Sequence, residues 1–251
     1  MNILLALLLG FLPSLVWLMF FLKEDIHPEP RKMIAKAFIF GCISAFAALF
    51  IQMFLKGYLD QIVINIPRII EDNLSVFIGF AFIEEIMKFL FIYIAVKKSS
   101  YFDEPIDAMI YMVTGALGFA MAENFFLAYS NIQSDVITLI IIRFIGATLL
   151  HALASALIGH YWARGIKLGI EKRMVIAGIV LASIFHIIFN YLVFKFSDFL
   201  VYPTAFLLLI GFFVLYDFEE LKKMDQFSTR IATSPKTNGD RTIPDWSDKY
   251  F

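Results

Sequence analysis

The sequence has little of what a soluble enzyme of its length is built from. Only 17% of its 251 residues are charged, whereas 60% are hydrophobic. The formal net charge is -1, so the chain has no basic surplus of the kind that nucleic acid requires. The one cysteine, Cys42, excludes an intrachain disulfide and a C-x-x-C metal or redox motif. This composition is typical of an integral membrane protein.

Three catalytic signatures are also missing. There is no G-x-S-x-G segment, and Cys42 has no local histidine motif, so nothing in the sequence indicates a covalent serine or cysteine mechanism. There is no H-E-x-x-H segment either, so the ligands of any zinc ion would have to come from separate helices.

Long apolar runs predict an all-α, polytopic transmembrane helix bundle over residues 1–218. The first run has no basic segment before it and no small-residue cleavage site, so we interpret it as an anchor that stays on the protein. Spans of about 20 apolar residues cross a bilayer as helices. Seven spans are predicted, at residues 3–22, 34–55, 74–96, 107–130, 136–162, 174–194 and 200–217.

The positions of the basic residues predict the orientation. Sixteen of the 21 lysines and arginines follow the first, third and fifth spans or lie near the C-terminus. Cytoplasmic loops carry this excess, which predicts an outer N-terminus and a cytoplasmic C-terminus. Residues 219–251 are polar and predict a disordered cytoplasmic tail. Residues 56–73, on the outer side, fit either an interfacial amphipathic segment or an ordinary loop.

Several ionisable residues lie inside the predicted spans. A charge at the bilayer centre costs at least about 2.5–3.5 kcal/mol, so such residues are candidates for function. Together with one amide they are Glu84, Glu85 and Lys88 on the third span, Glu123 on the fourth, Arg143 and His151 on the fifth, and His186 and Asn190 on the sixth.

Helical spacing predicts that these groups meet in one site. Glu84 and Lys88 are four residues apart and share a helix face, as do His186 and Asn190. The polar groups of the four spans fall between the middle of the bilayer and its predicted outer face. Inside the spans, three carboxylates exceed the two fixed cations by one negative charge. Compensation of this charge requires a protonated carboxyl, a cationic histidine or a bound metal.

This set of residues is suited to hydrolysis by activated water. A carboxylate and a histidine serve as general bases, and a histidine with an asparagine amide can donate to an oxyanion. We expect no cofactor, with zinc the less favoured alternative because H-E-x-x-H is absent. Lys88 is interpreted as a structural or pKa-tuning partner of the glutamates. Arg143 is expected either to reach the outer headgroups or to pair with Glu123.

Four motifs in order resemble the PrsW family of intramembrane proteases, which is related to the type II CAAX prenyl endopeptidases and the bacteriocin-immunity proteins. They are Glu84-Glu85-x-x-Lys88, Phe119-x-x-x-Glu123, H-A-x-x-S-A from His151, and His186-x-x-x-Asn190. The resemblance runs from about residue 75 to residue 195. Phe89 and Glu123 depart from the prenyl endopeptidase pattern, which argues against prenyl-peptide cleavage.

The resemblance implies a function and roles for the residues. Glu84 or Glu85 would activate water, His186 and Asn190 would stabilise the oxyanion, and Glu123 and His151 would complete the site. The implied substrate is a single-span membrane protein, such as an anti-sigma factor, cut near the outer side of a bacterial cell membrane. Two alternatives remain from the residues: a proton- or ion-coupled transporter, and a non-catalytic immunity or scaffold protein.

Overall fold

The structure, a computed structural model, describes residues 3–63, 74–130, 136–197 and 199–233. This described part contains eight α-helices and no strand, so the predicted all-α class is confirmed. The helices are α1 (Ile3–Phe21), α2 (Arg31–Val63), α3 (Leu74–Val96), α4 (Pro105–Ser130), α5 (Val136–Ile145), α6 (Ala147–Lys167), α7 (Glu171–Lys195) and α8 (Val201–Thr233).

Six segments of the described chain are long and apolar enough to cross a membrane, with α5 and α6 counted as one segment. The remaining helix, α3, has 23 residues and carries Glu84, Glu85 and Lys88 along its middle. With α3 included, the helices correspond to the seven predicted spans. The orientation of the termini stays a prediction.

The central element is α4, which packs against α1, α2, α3 and α6. Every residue from Ile106 to Ala120 is buried, as expected for a helix that is apolar or small on all sides. Two close approaches depend on glycine. A Cβ on Gly41 of α2 would lie 1.9 Å from the Gly115 carbonyl oxygen, and one on Gly159 of α6 would lie 2.6 Å from that of Ala108. Small residues thus let these helices approach closely.

The fifth predicted span is bent, which the sequence analysis did not anticipate. It is divided at Gly146, where the backbone leaves helical geometry with φ -90° and ψ -100°. Backbone hydrogen bonds continue on both sides, from Gly146 N to Ile142 O and from Leu150 N to Gly146 O, each 2.9 Å. The break is therefore a kink within one span.

The last helix extends beyond its predicted end at residue 217, and the disorder predicted for residues 219–233 is wrong. Phe218 and Leu221 are fully buried, and Lys222 Nζ lies 2.6 Å from Glu24 Oε2. These contacts hold the polar end of α8 against the loop after α1. Residues 234–251 and most of the outer segment 56–73 lie outside the described residues, so the predictions made for them stand untested.

Candidate active site

Polar side chains from α3, α4, α5, α6 and α7 meet inside the bundle. Glu85, Lys88, His151 and His186 are all at most 3% exposed. Seven of the eight residues predicted from the sequence join one network of ion pairs and hydrogen bonds, and Asn190 does not. The network is completed by Gln52, Asn124 and Thr148, which the sequence analysis missed.

Glu85 is bonded to both a lysine and a histidine of this network. Its Oε1 lies 2.7 Å from Lys88 Nζ and 2.8 Å from His186 Nδ1. Because a carboxylate only accepts, the proton of the His186 ring is on Nδ1. The Nε2 lone pair of His186 therefore faces the opposite side of the ring. Although Lys88 shares a helix face with Glu84, it binds Glu85.

Glu84 lies beside this pair without a fixed cation. Its Oε1 accepts from the Gln52 amide at 2.8 Å. Its Oε2 is buried and has no hydrogen-bond partner among the described residues. That oxygen lies 3.7 Å from His186 Nε2, which is too long for a direct hydrogen bond. The uncompensated negative charge expected from the sequence therefore falls on Glu84.

Glu123 is held by an arginine and a histidine of the fifth span. Its Oε2 lies 2.8 Å from His151 Nε2 and 3.1 Å from Arg143 Nη2. Arg143 thus takes the second of its two expected roles, which is to pair with Glu123. His151 also bridges to α3, because its Nδ1 lies 3.2 Å from Lys88 Nζ. The rings of His151 and His186 meet edge to face at 5.1 Å.

The amides of this region fix the charged groups in position. Asn124 accepts from Arg143 Nε at 2.5 Å and donates to Thr148 Oγ1 at 3.1 Å. Asn190, one turn after His186, is half-buried and forms no hydrogen bond with a described residue. A lone glutamine in an apolar run, and an asparagine directly after Glu123, were the signals available for Gln52 and Asn124.

A cleft reaches the network from the side of α2. It has a volume of about 270 Å³ and is lined by apolar side chains of α2 and α4. Gln52, Glu123 and Arg143 provide its polar walls. Glu84 does not line the cleft itself and is connected to it through the hydrogen bond from Gln52.

Three residues of the network have the donor atoms and spacing of a metal site. One ligand atom from each of Glu84, His151 and His186 lies within 4.8 Å of the others. Two histidines and a glutamate are a known ligand set of catalytic zinc. Two ligands of a tetrahedral zinc lie about 3.4 Å apart, close to the 3.7 Å between Glu84 Oε2 and His186 Nε2. Glu84 and His186 therefore fit zinc, and His151 would complete the set by exchanging its contact with Lys88 or with Glu123 for the metal.

Comparisons with known proteins identify the family of this chain. The sequence model of the family described as "PrsW family intramembrane metalloprotease" matches residues 29–216. The chain belongs to the PrsW family.

Curated PrsW proteins align with most of its length. "Protease PrsW" of Bacillus subtilis (strain 168) is 25% identical over 217 residues, which are 82% of this chain and 90% of the relative. That of Oceanobacillus iheyensis is 25% identical over 208 residues, covering 82% and 91%. That of Geobacillus kaustophilus (strain HTA426) is 29% identical over 154 residues, covering 61% of this chain and 63% of the relative. No solved structure matches significantly.

Membership of the PrsW family supports the predicted intramembrane protease, and the apolar helices support an integral membrane protein. All four resemblance motifs lie within the matched range. The site of this PrsW protein is thus assembled from the helices that carry those motifs.

Proposed function

We propose that the chain is an intramembrane peptidase in which Glu84 activates the water that attacks a peptide bond. One observation carries this proposal: Glu84 Oε2 lies 3.7 Å from His186 Nε2, and this buried oxygen forms no hydrogen bond with a described residue. A water between them would be held by two acceptors of its protons. It would keep an oxygen lone pair for attack on the substrate carbonyl.

The charges around Glu84 support its choice over Glu85 as the base. Glu85 is fully buried and bonded to both Lys88 and His186, so its Oε1 is committed to holding them. Glu84 has only the neutral amide of Gln52 on its other oxygen. One oxygen of each glutamate lacks a partner among the described residues. Glu84 is the better base because no fixed cation pairs with it and its Oε2 lies 3.7 Å from His186 Nε2.

The other residues orient or stabilise the reacting groups. Glu85 fixes the tautomer of His186, so that Nε2 is available at the reaction centre. Arg143 and His151 hold Glu123 at the cleft. His186 and Asn190 keep the role proposed from the sequence, donation to the oxyanion, after His186 has received a proton.

The family description implies a metal, and Glu84, His151 and His186 would hold it. A zinc ion bound there would lower the pKa of its water and polarise the substrate carbonyl. Glu85 would then orient the ligand His186 through Nδ1, the usual arrangement of a carboxylate behind a metal-bound histidine. The fit of these residues favours zinc more than the sequence motifs do.

The substrate proposed is a single-span membrane protein of a bacterial cell membrane, such as an anti-sigma factor, cut near the outer face. A cleft with apolar walls at lipid depth suits an unwound transmembrane segment better than a soluble peptide.

The direct test compares the membrane proteome of cells with the active chain and with Glu84→Gln, followed by cleavage of the resulting candidate in liposomes. We expect Glu84→Gln, Glu85→Gln and His186→Ala to abolish cleavage, while Glu219→Gln, at an exposed carboxylate, leaves it unchanged. Unaltered cleavage in all three site variants would refute the assignment. Proton or ion flux lost in the same variants, with no proteolysis, would favour a transporter instead.

A further inference from the structure

A second polar cluster lies at the opposite end of α4 from Glu123. Glu29 comes from the loop between α1 and α2, Asp103 from the loop between α3 and α4, and Asp107 from the first turn of α4. One carboxylate oxygen from each lies within 4.8 Å of the others. Sixteen residues of helix separate Asp107 from Glu123, which is about 24 Å. The cluster is therefore distinct from the proposed active site.

These carboxylates lack the cations that would normally accompany them. In the part of the chain that the structure describes, no lysine or arginine forms an ion pair with any of the three. The nearby histidine, His27, pairs with Glu104 at 2.7 Å. Glu29 receives a hydrogen bond from the Tyr111 hydroxyl. Three neighbouring carboxylates without a counter-charge repel one another.

Asp107 supplies the observation that points to a ligand. Its side chain is 1% exposed, and its Oδ2 accepts from the backbone N–H groups of Asp103 and Glu104 at 2.9 and 2.7 Å. These two hydrogen bonds hold the loop, but they satisfy only Oδ2. Oδ1 is buried and has no hydrogen-bond partner among the described residues. A buried carboxylate oxygen without a partner is costly unless an ion or a proton satisfies it.

We propose that Glu29, Asp103 and Asp107 form a binding site for a hard divalent cation, and for Ca²⁺ in particular. Carboxylate oxygens are the ligands that Ca²⁺ and Mg²⁺ prefer. Oxygens bound to one Ca²⁺ can lie up to about 5 Å apart, whereas the limit for Mg²⁺ is about 4.2 Å. Separations within 4.8 Å all fall inside the range for Ca²⁺, which also accepts irregular coordination more readily than Mg²⁺ does. Asp103 is exposed, so the ion and its remaining water ligands can reach the site.

The bound ion would connect the two loops to the start of the central helix. Asp25 already shapes the first loop, since its carboxylate accepts from the backbone N–H groups of His27 and Glu29 at 3.0 and 3.1 Å. A cation would join that loop to Asp103 and Asp107. The cation site would therefore stabilise the end of the bundle remote from the cleft.

Thermal unfolding of the full chain in nanodiscs, with CaCl₂ or MgCl₂ added after chelation, tests the proposal. We expect Ca²⁺ to raise Tm by several degrees in the wild type and in Glu219→Gln. The increase should disappear in Asp107→Asn and Glu29→Gln. Without Ca²⁺ these two variants should be at least as stable as the wild type, because a repelling charge has been removed. His186→Ala should keep the Ca²⁺ response, which separates this site from the active site.

Terbium luminescence gives a second readout. Tb³⁺ replaces Ca²⁺ at oxygen sites, and Tyr111, in contact with Glu29, is placed to sensitise its emission. We expect emission that Ca²⁺ displaces, and at least a tenfold weaker affinity in Asp107→Asn. A wild type indifferent to Ca²⁺ in both measurements, or equal responses in Asp107→Asn, would overturn the proposal. A response to Mg²⁺ alone would overturn the assignment to calcium.

Discussion

Lys88 binds Glu85, at 2.7 Å, with both side chains fully buried. This relationship separates two adjacent glutamates that the sequence alone presents as equivalent. Glu85 becomes a compensated, structural carboxylate, whereas Glu84 keeps a free oxygen toward His186. The difference between the two follows from which of them the lysine reaches.

Loss of this cation is expected to destabilise the fold. Lys88→Met leaves Glu85 as a buried charge without its lysine, and removing one partner of a buried pair costs about 3–5 kcal/mol. We expect a clear fall in Tm in detergent, and recovery of stability but not of cleavage in the double variant Glu85→Gln, Lys88→Met. Lys97→Met is the matched control, because the pair of Lys97 with Glu171 is about 30% exposed and contributes about 1 kcal/mol or less. A Lys88→Met protein as stable as the control would contradict the prediction.

Gln52 is expected to contribute to catalysis through Glu84. Gln52→Leu removes the only hydrogen bond to Glu84 Oε1 that the described chain supplies. A hydrogen bond to a charged group contributes about 1.5–3 kcal/mol, so kcat/KM should fall about tenfold to a hundredfold. Met53→Leu, at an exposed neighbour on α2, is the control. Equal activity of the two variants would show that Glu84 is positioned without the amide.

If Glu84, His151 and His186 hold zinc, the ion activates the water in place of the Glu84 carboxylate, and zinc should then copurify and be required. Metal analysis of protein prepared without chelator should give close to one zinc per chain, with loss in His186→Ala and retention in Glu219→Gln. A strong chelator should abolish cleavage, and added Zn²⁺ should restore it. Full activity of metal-free protein would instead support direct activation of water by Glu84, the mechanism that the sequence motifs favour.

The contact of α6 with α4 is expected to tolerate no side chain at Gly159. In Gly159→Ala the new Cβ would lie 2.6 Å from the Ala108 carbonyl oxygen and from Met109 Cα, so the helices must separate. Overpacking of this kind costs about 1–3 kcal/mol. Gly57→Ala is the control, since its Cβ would meet nothing within 4 Å. Tm should fall in the first variant and stay constant or rise in the second.

The helical fold and most of the site were predictable because charge is expensive in lipid. A glutamate or histidine inside an apolar run is conspicuous. Because such side chains avoid lipid, those on neighbouring spans are expected to face a shared interior. Gln52 was missed for the same reason, since an uncharged amide is less costly and stands out less. Its importance becomes visible only when α2 is placed beside Glu84.

Side-chain pairing was less predictable than position. Spacing allowed Lys88 to pair with either glutamate, and the choice depends on His186 of α7, which also binds Glu85. The helical continuation beyond residue 218 was likewise hidden, because the contact of Lys222 with Glu24 joins residues far apart in sequence. Both outcomes depend on tertiary packing, which local pattern does not contain.

Arg143 and His151 lie on either side of the kink at Gly146, and both contact Glu123. In a straight helix Arg143 and His151 would be about 12 Å apart along the axis, yet both contact the same oxygen of Glu123. A bilayer thick enough to straighten the segment would draw one of them away. The strength of these two contacts therefore depends on membrane thickness. Lipids with longer acyl chains should slow the enzyme without contacting its reacting groups.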